Sequence, residues 1–152
     1  MATHRIRDNE IDMPVTQKRK RPIGVILDSN TFFDSLQFRI DIFEELKKEL
    51  QTEYVPIVLS PIIKEIEKLA IKGSTKTRKN AAFALSLAEK CTVVNVDPEP
   101  SASVDDVIVK VAEECGYAVF TDDRQLRRRL RDINVPVIYV RQKSYLEING
   151  RL

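Results

Sequence analysis

Apolar residues recur in this chain with two different spacings, and from Gly24 onward the two alternate. GVIL before Asp28 is a short continuous apolar run ending in an acid, the pattern of a buried strand. In FRIDIFEELKKELQ, residues Phe38, Ile42, Phe43, Leu46 and Leu50 fall at helical spacing. YVPIVLS predicts a second strand, with Pro56 placing its start at an edge or ahead of the ladder. Ser60-Pro61 then supplies a capping hydroxyl and a first-turn proline for a helix running through IIKEIEKLAI to near Gly73. Another helix is expected from Lys76 to about Lys90, on Ala81, Ala82, Phe83, Leu85 and Ala88. TVVNV reads as a third strand and DPEPSAS as a loop. Ser103, three residues before Asp106, has capping-box spacing for a helix ending near Cys115-Gly116. YAVFT, DRQLRRRLRD and PVIYV close the series as strand, basic helix and strand.

Strands separated by helices, with no hairpin dipeptide between them, imply a parallel sheet covered on both faces. The expected architecture is α/β: a three-layer α/β/α sandwich with a central, mostly parallel sheet of about five strands. One such domain over residues 23–152 suits a chain of 152 residues. Residues 1–22 are polar, lack a sustained period and end in KRKRP, so a basic, flexible arm is expected there.

Composition adds little to that picture. With 43% hydrophobic and 32% charged residues, the chain is neither disordered nor fibrous in character. Net charge is only +2, but residues 1–22 carry six basic side chains against three acidic ones, leaving the remainder at −1. Cys91 and Cys115 lack metal-site spacing and read as small buried hydrophobes. No stretch approaches the ~18 apolar residues of a membrane span, and no signal peptide is evident, so a cytoplasmic protein is expected. The one histidine, His4, lies in the leader, which argues against histidine catalysis and most zinc sites.

Acidic residues carry the chemistry. They stand where strands give way to helices in four places: Asp28, Glu65, the pair Asp105-Asp106 and the pair Asp122-Asp123. In an open α/β sheet the carboxyl ends of the strands face one crevice. Carboxylates gathered there repel and want a proton or a cation, and hard Mg²⁺ or Mn²⁺ chooses oxygen ligands. Metal-dependent phosphodiester chemistry is the expectation. Ser29 and Asn30 can support such a site or serve as turn residues, and Thr121 can hold its loop through a T-x-D turn. Glu67, two residues from Glu65, points elsewhere and is read as solvent-facing. Asp105 is favoured over Asp106, which suits a cap.

VILDSNTFF, IIKEIEKLA, DDVIVKVA and VFTDDRQLRRRL, in this order and spacing, resemble the PIN-domain nucleases over nearly all of residues 23–142. TDDRQLRRRLRDINVPVIYVR and EIEKLA are most similar to archaeal proteins of the rRNA-processing type, and VapC-like toxin ribonucleases share the four acids. The resemblance implies a metal-dependent endoribonuclease with Mg²⁺ or Mn²⁺ held by Asp28, Glu65, Asp105 and Asp123. Asp106 and Asp122 would be accessory ligands, and Ser29, Asn30 and Thr121 supporting residues. It further implies RNA as substrate, a homodimer, and a protein antitoxin if the chain is a toxin.

For RNA, Arg124, Arg127, Arg128 and Arg131 share one face of a helix that begins at the acids, with Leu126 and Leu130 opposite. Lys76 and Arg78 form a basic lip in KGSTKTRKN, which lacks the glycine and lysine order of a nucleotide-binding loop. A catalytically quiet RNA-binding or assembly factor on the same fold is the contrasting reading, and a retained set of four acids argues against it. A phosphorelay receiver would want a lysine after its last strand, where Arg141 stands.

Overall fold

Valine, isoleucine and leucine dominate Ile23–Leu27 (β1), a central strand paired on both edges, and all but its first residue are buried, as expected for a parallel sheet with both faces covered. The computed structural model describes residues 22–152, so the expected arm, except Pro22, and His4 lie outside the described residues. In chain order β1 is followed by α1 (Ser29–Gln37), α2 (Ile42–Leu50), β2 (Tyr54–Leu59), α3 (Ser60–Lys72) and α4 (Thr75–Ala88). Then come β3 (Thr92–Val94), α5 (Val104–Cys115), β4 (Ala118–Phe120), α6 (Arg124–Asp132), β5 (Val137–Arg141) and β6 (Tyr145–Asn149). The fold is a three-layer α/β/α sandwich around one six-stranded sheet.

Strand order is β3-β2-β1-β4-β5-β6, parallel except for β6. The chain steps outward from β1 to β3 and then returns to the other side of β1 for β4. The carboxyl ends of β1 and β4 therefore flank the point where the winding reverses, the place where such sheets bind ligands. Pro56 pairs with Val25 of β1, while the ladder to β3 begins only at Ile57, so the missing N–H leaves no gap in it.

Three expectations are corrected. A helix, α1, occupies Ser29–Gln37, where Ser29 and Asn30 had read as turn residues. Asp28 caps it through Ser29 N–H, and Thr31 Oγ1 donates to Asp28 O at 2.7 Å, so the polar start is a helix opening. The helix that follows begins only at Ile42, capped by Asp41, because Arg39 takes a left-handed φ of 54° and breaks the run. The sheet also has a sixth strand, antiparallel to β5. Its hairpin turns through Gln142 and Lys143 at φ 53° and 60°, a left-handed geometry usually signalled by Asn or Gly.

Phe32, Ile26, Leu27, Ile57, Leu59, Ile108 and Phe120 are fully buried and knit the helices to the sheet. Phe33 and Phe43 pack against that core, so these phenylalanines serve packing rather than an interface. Cys91 and Cys115 are buried with the core. No helix among the described residues is long and apolar enough to cross a membrane.

Candidate metal and active site

Asp28 ends β1 in extended conformation and is buried, 6% exposed. Its N–H donates to Phe120 O at 2.9 Å, which ties the tips of β1 and β4 together at the reversal point. Its carboxylate is held on both oxygens. Oδ1 accepts from Ser29 N at 2.8 Å, and Oδ2 accepts from Thr121 Oγ1 at 2.7 Å and Asn30 Nδ2 at 3.3 Å. Thr121, fully buried, also accepts from Asp123 N at 3.1 Å, while Asn30 Oδ1 accepts from Asp122 N at 3.3 Å. Ser29, Asn30 and Thr121 thus fix Asp28 and the loop after β4 as one hydrogen-bonded unit.

Burial pushes the Asp28 carboxyl above its usual range, against the lowering effect of the Thr121 and Ser29 hydrogen bonds. The charges of Asp105 and Glu65 push the same way. Asp105, half-buried in the first turn of α5, is raised by burial, then by Asp123, Glu65 and Asp106, with Arg129 opposing. Asp28 after β1 and Asp105 on α5 therefore both feel the charge of Glu65 on α3, and Asp105 also that of Asp123 before α6.

The donor set suits a hard cation, being all carboxylate oxygen and carrying repulsion that a divalent ion would relieve. Among the described residues no three acid, histidine or cysteine side chains converge tightly enough to chelate an ion as they stand. Glu65 is exposed and Asp105 half-exposed. Asp123 spends Oδ1 on capping α6 through Gln125 N at 2.9 Å and Leu126 N at 3.1 Å, and that cap does not use Oδ2.

The accessory acids turn to other partners. Asp122 Oδ1 accepts from Val140 N at 3.0 Å, stapling β5 to the loop; burial raises its carboxyl, with Val140 N–H and Arg127 opposing. Asp106 completes the capping box with Ser103 and pairs with Arg129 at 3.0 Å, and these hydrogen bonds hold its carboxyl below the usual range. Both acids thus have structural partners, Val140 N for Asp122 and Ser103 and Arg129 for Asp106. Glu67 is exposed, as expected.

Leu126 and Leu130 are fully buried, and Arg124, Arg127, Arg128 and Arg131 share one groove of about 480 Å³ with Tyr139 and Arg141 of β5. The stripe therefore faces the β5–β6 hairpin. Sequence spacing missed Arg129, which lies off the stripe and is the arginine whose charge reaches Asp105. The Arg127 guanidinium lies 4.1 Å over the Tyr139 ring. Lys76 and Arg78 are exposed on the first turn of α4, where Arg78 reaches Thr75 Oγ1 at 3.4 Å.

Comparison with known proteins agrees with this arrangement of elements. Ribonuclease VapC4 of Methanocaldococcus jannaschii is 29% identical over 126 residues, 83% of this chain and 96% of that protein. The rRNA-processing protein fcf1 of Schizosaccharomyces pombe is 28% identical over 120 residues, 78% of this chain but 59% of that longer protein. The solved structure of the PIN domain endonuclease Utp24 superposes with a TM-score of 0.70 at 28% identity, covering 86% of this chain and 94% of that one. The model of the PIN-like domain matches residues 25–143, and the chain belongs to that family.

Proposed function

We propose that this protein is a divalent-metal-dependent endoribonuclease whose site is the carboxylate group of Asp28, Glu65, Asp105 and Asp123. One observation carries the reading: a buried carboxylate, Asp28, at the reversal point of the sheet, electrostatically coupled to acids from two other elements. Similarity to proteins named as ribonucleases, nearly end to end for VapC4, supports the reaction class. A bound Mg²⁺ or Mn²⁺ would supply a more acidic water and neutralise charge on the phosphate in flight. Asp28, Glu65, Asp105 and Asp123 would hold the ion, Asp123 while also capping α6. Thr121 and Asn30 keep Asp28 aimed by occupying its outer lone pairs.

Arg124, Arg128 and Arg131 take part in none of the ion pairs among the described residues, leaving them available to RNA phosphates. Lys76 and Arg78 offer a further basic edge beside α3. RNA processing in ribosome assembly is the role favoured by likeness to fcf1 and Utp24. Coverage of nearly all of VapC4 supports a toxin ribonuclease as the second reading, with a protein antitoxin as partner. A homodimer and a cytoplasmic setting complete the proposal. The exposed Leu69, Ile71 and Phe83 of the packed α3–α4 pair offer an apolar surface for self-association.

The test is cleavage of a fluorescent single-stranded RNA with Mn²⁺, Mg²⁺ or EDTA, wild type beside Asp28→Asn. Cleavage that needs both metal and Asp28 is the expected result. RNA binding without cleavage under any metal would overturn it in favour of an assembly factor.

A further inference from the structure

A second cavity, of about 480 Å³, opens beside Asp122, lined by Asp34, Phe38, Arg124, Arg127, Tyr139 and Lys143 among others. Asp34 lies in the middle of α1 and is 7% exposed. Its Oδ2 has no hydrogen-bond partner, and it joins no ion pair among the described residues. Arg127, held flat on Tyr139, has an Nε that is likewise buried without a partner. Two residues lining one cavity thus each carry a buried polar atom without a partner, an acceptor on Asp34 and a donor on Arg127, beside two aromatic rings. Buried polar atoms left in that condition are strongly unfavourable and call for a partner. Neither the four-acid crevice nor the capping network uses them.

The geometry points to a base-recognition pocket for guanine in single-stranded RNA. This rests on the ribonuclease reading and names the nucleotide that the site selects. Single-stranded RNA is read by stacking splayed bases on aromatic or arginine planes and bonding their edges, and Phe38 and Arg127, itself backed by Tyr139, offer such planes. An ionised carboxylate only accepts and an arginine only donates. Guanine alone places two donors, N1–H and the 2-amino group, side by side with the O6 acceptor next to them. Adenine and cytosine each put a ring acceptor beside their amino group, and uracil flanks its single donor with acceptors. A carboxylate with an arginine beside it thus suits guanine and repels the other edges.

Position agrees with this role. Asp34 is six residues along α1 from Asp28, about 9 Å at helical rise. Asp122, which lines the cavity, lies between Thr121 and Asp123 of the acid site. Arg124 and Arg127 belong both to this cavity and to the arginine groove.

Binding of labelled UUGUU, UUAUU, UUCUU and UUUUU to the wild-type chain in EDTA, read by fluorescence anisotropy, tests the assignment. The guanine oligomer is expected to bind about tenfold more tightly than the others, equivalent to about 1.4 kcal/mol. Asp34→Asn, checked as folded by its thermal melt, brings all four within about twofold, because an amide donor then faces the guanine donors. Equal binding of the four by wild type overturns the proposal, and so does a guanine preference that survives Asp34→Asn. The assay needs no cleavage. A chain that prefers guanine yet never cuts RNA would refute the nuclease reading alone, whereas metal-dependent cleavage without base preference would refute only this one.

Discussion

Thr121→Val keeps the shape of a fully buried side chain and removes its hydroxyl, so it isolates the bond that aims Asp28. Thr121 Oγ1 donates to Asp28 Oδ2 at 2.7 Å and accepts from Asp123 N at 3.1 Å. Losing a hydrogen bond to a charged acceptor removes about 1.5–3 kcal/mol, and orphaning a half-buried N–H adds about 1 kcal/mol. The methyl group that replaces the hydroxyl returns about 0.8 kcal/mol. Net destabilisation near 2–3 kcal/mol follows, read at pH 7.5 as a shift of the urea midpoint with an unchanged m-value. A double-mutant cycle with Asp28→Asn then gives a coupling of about 1–2 kcal/mol, because the two side chains share the bond. A Thr121→Val chain within about 0.5 kcal/mol of wild type, or strict additivity with Asp28→Asn, would refute this account of how Asp28 is held.

Three further outcomes follow from other parts of the molecule. Gly24→Ala would place a Cβ 2.4 Å from Cδ1 of the buried Tyr117 ring, and it should lower stability by about 1–3 kcal/mol in a urea melt; no loss would mean the strands have room to part. Burial pushes the Cys91 thiol up to about 12, from an ordinary value of 9.0. The unfolded thiol therefore ionises first, so stability is unaffected below pH 9 and falls as pH rises from 9 towards 12. At pH 8 thiol reagents should label native protein only as fast as it opens, and immediate stoichiometric labelling would contradict the burial. Arg128→Ala with Arg131→Ala should flatten the salt dependence of single-stranded RNA binding by about 0.7 in log–log slope per lost contact, and an unchanged slope would make the groove a merely solvated face.

Much of this arrangement was legible in the sequence because each element carries its own signal. Apolar runs marked β1, β2, β4 and β5, Pro61 marked α3 and the Ser103 start marked α5. Ser60, expected to cap α3, lies inside it, and its hydroxyl bonds Val96 N and O instead. The four acids could be placed at one end of the sheet because strand ends in a parallel fold all open that way. What stayed hidden depended on local backbone or on partners distant in the chain. α1 was masked because its first residues are turn formers and its buried face includes Thr31 and Asp34. β6 was masked because Gln142 and Lys143 take left-handed angles without a glycine to announce them. The direction of Asp122 depends on Val140, 18 residues away, and the pairing of Arg129 with Asp106 on how α5 packs against α6. Sequence spacing gives the face of a helix, and only packing decides what that face meets.

The most direct test of the central claim is the rate of single-stranded RNA cleavage against Mn²⁺ concentration for Asp28→Asn, Glu65→Gln, Asp105→Asn and Asp123→Asn. Each chain would be confirmed as folded by its melt. If the four acids form one metal-dependent site, every variant loses about 100-fold or more in rate. A weaker response to Mn²⁺ should accompany each loss, with Asp106→Asn and Asp122→Asn as controls that keep more activity. Full activity in any one of the four, with metal dependence intact, would contradict the site drawn here.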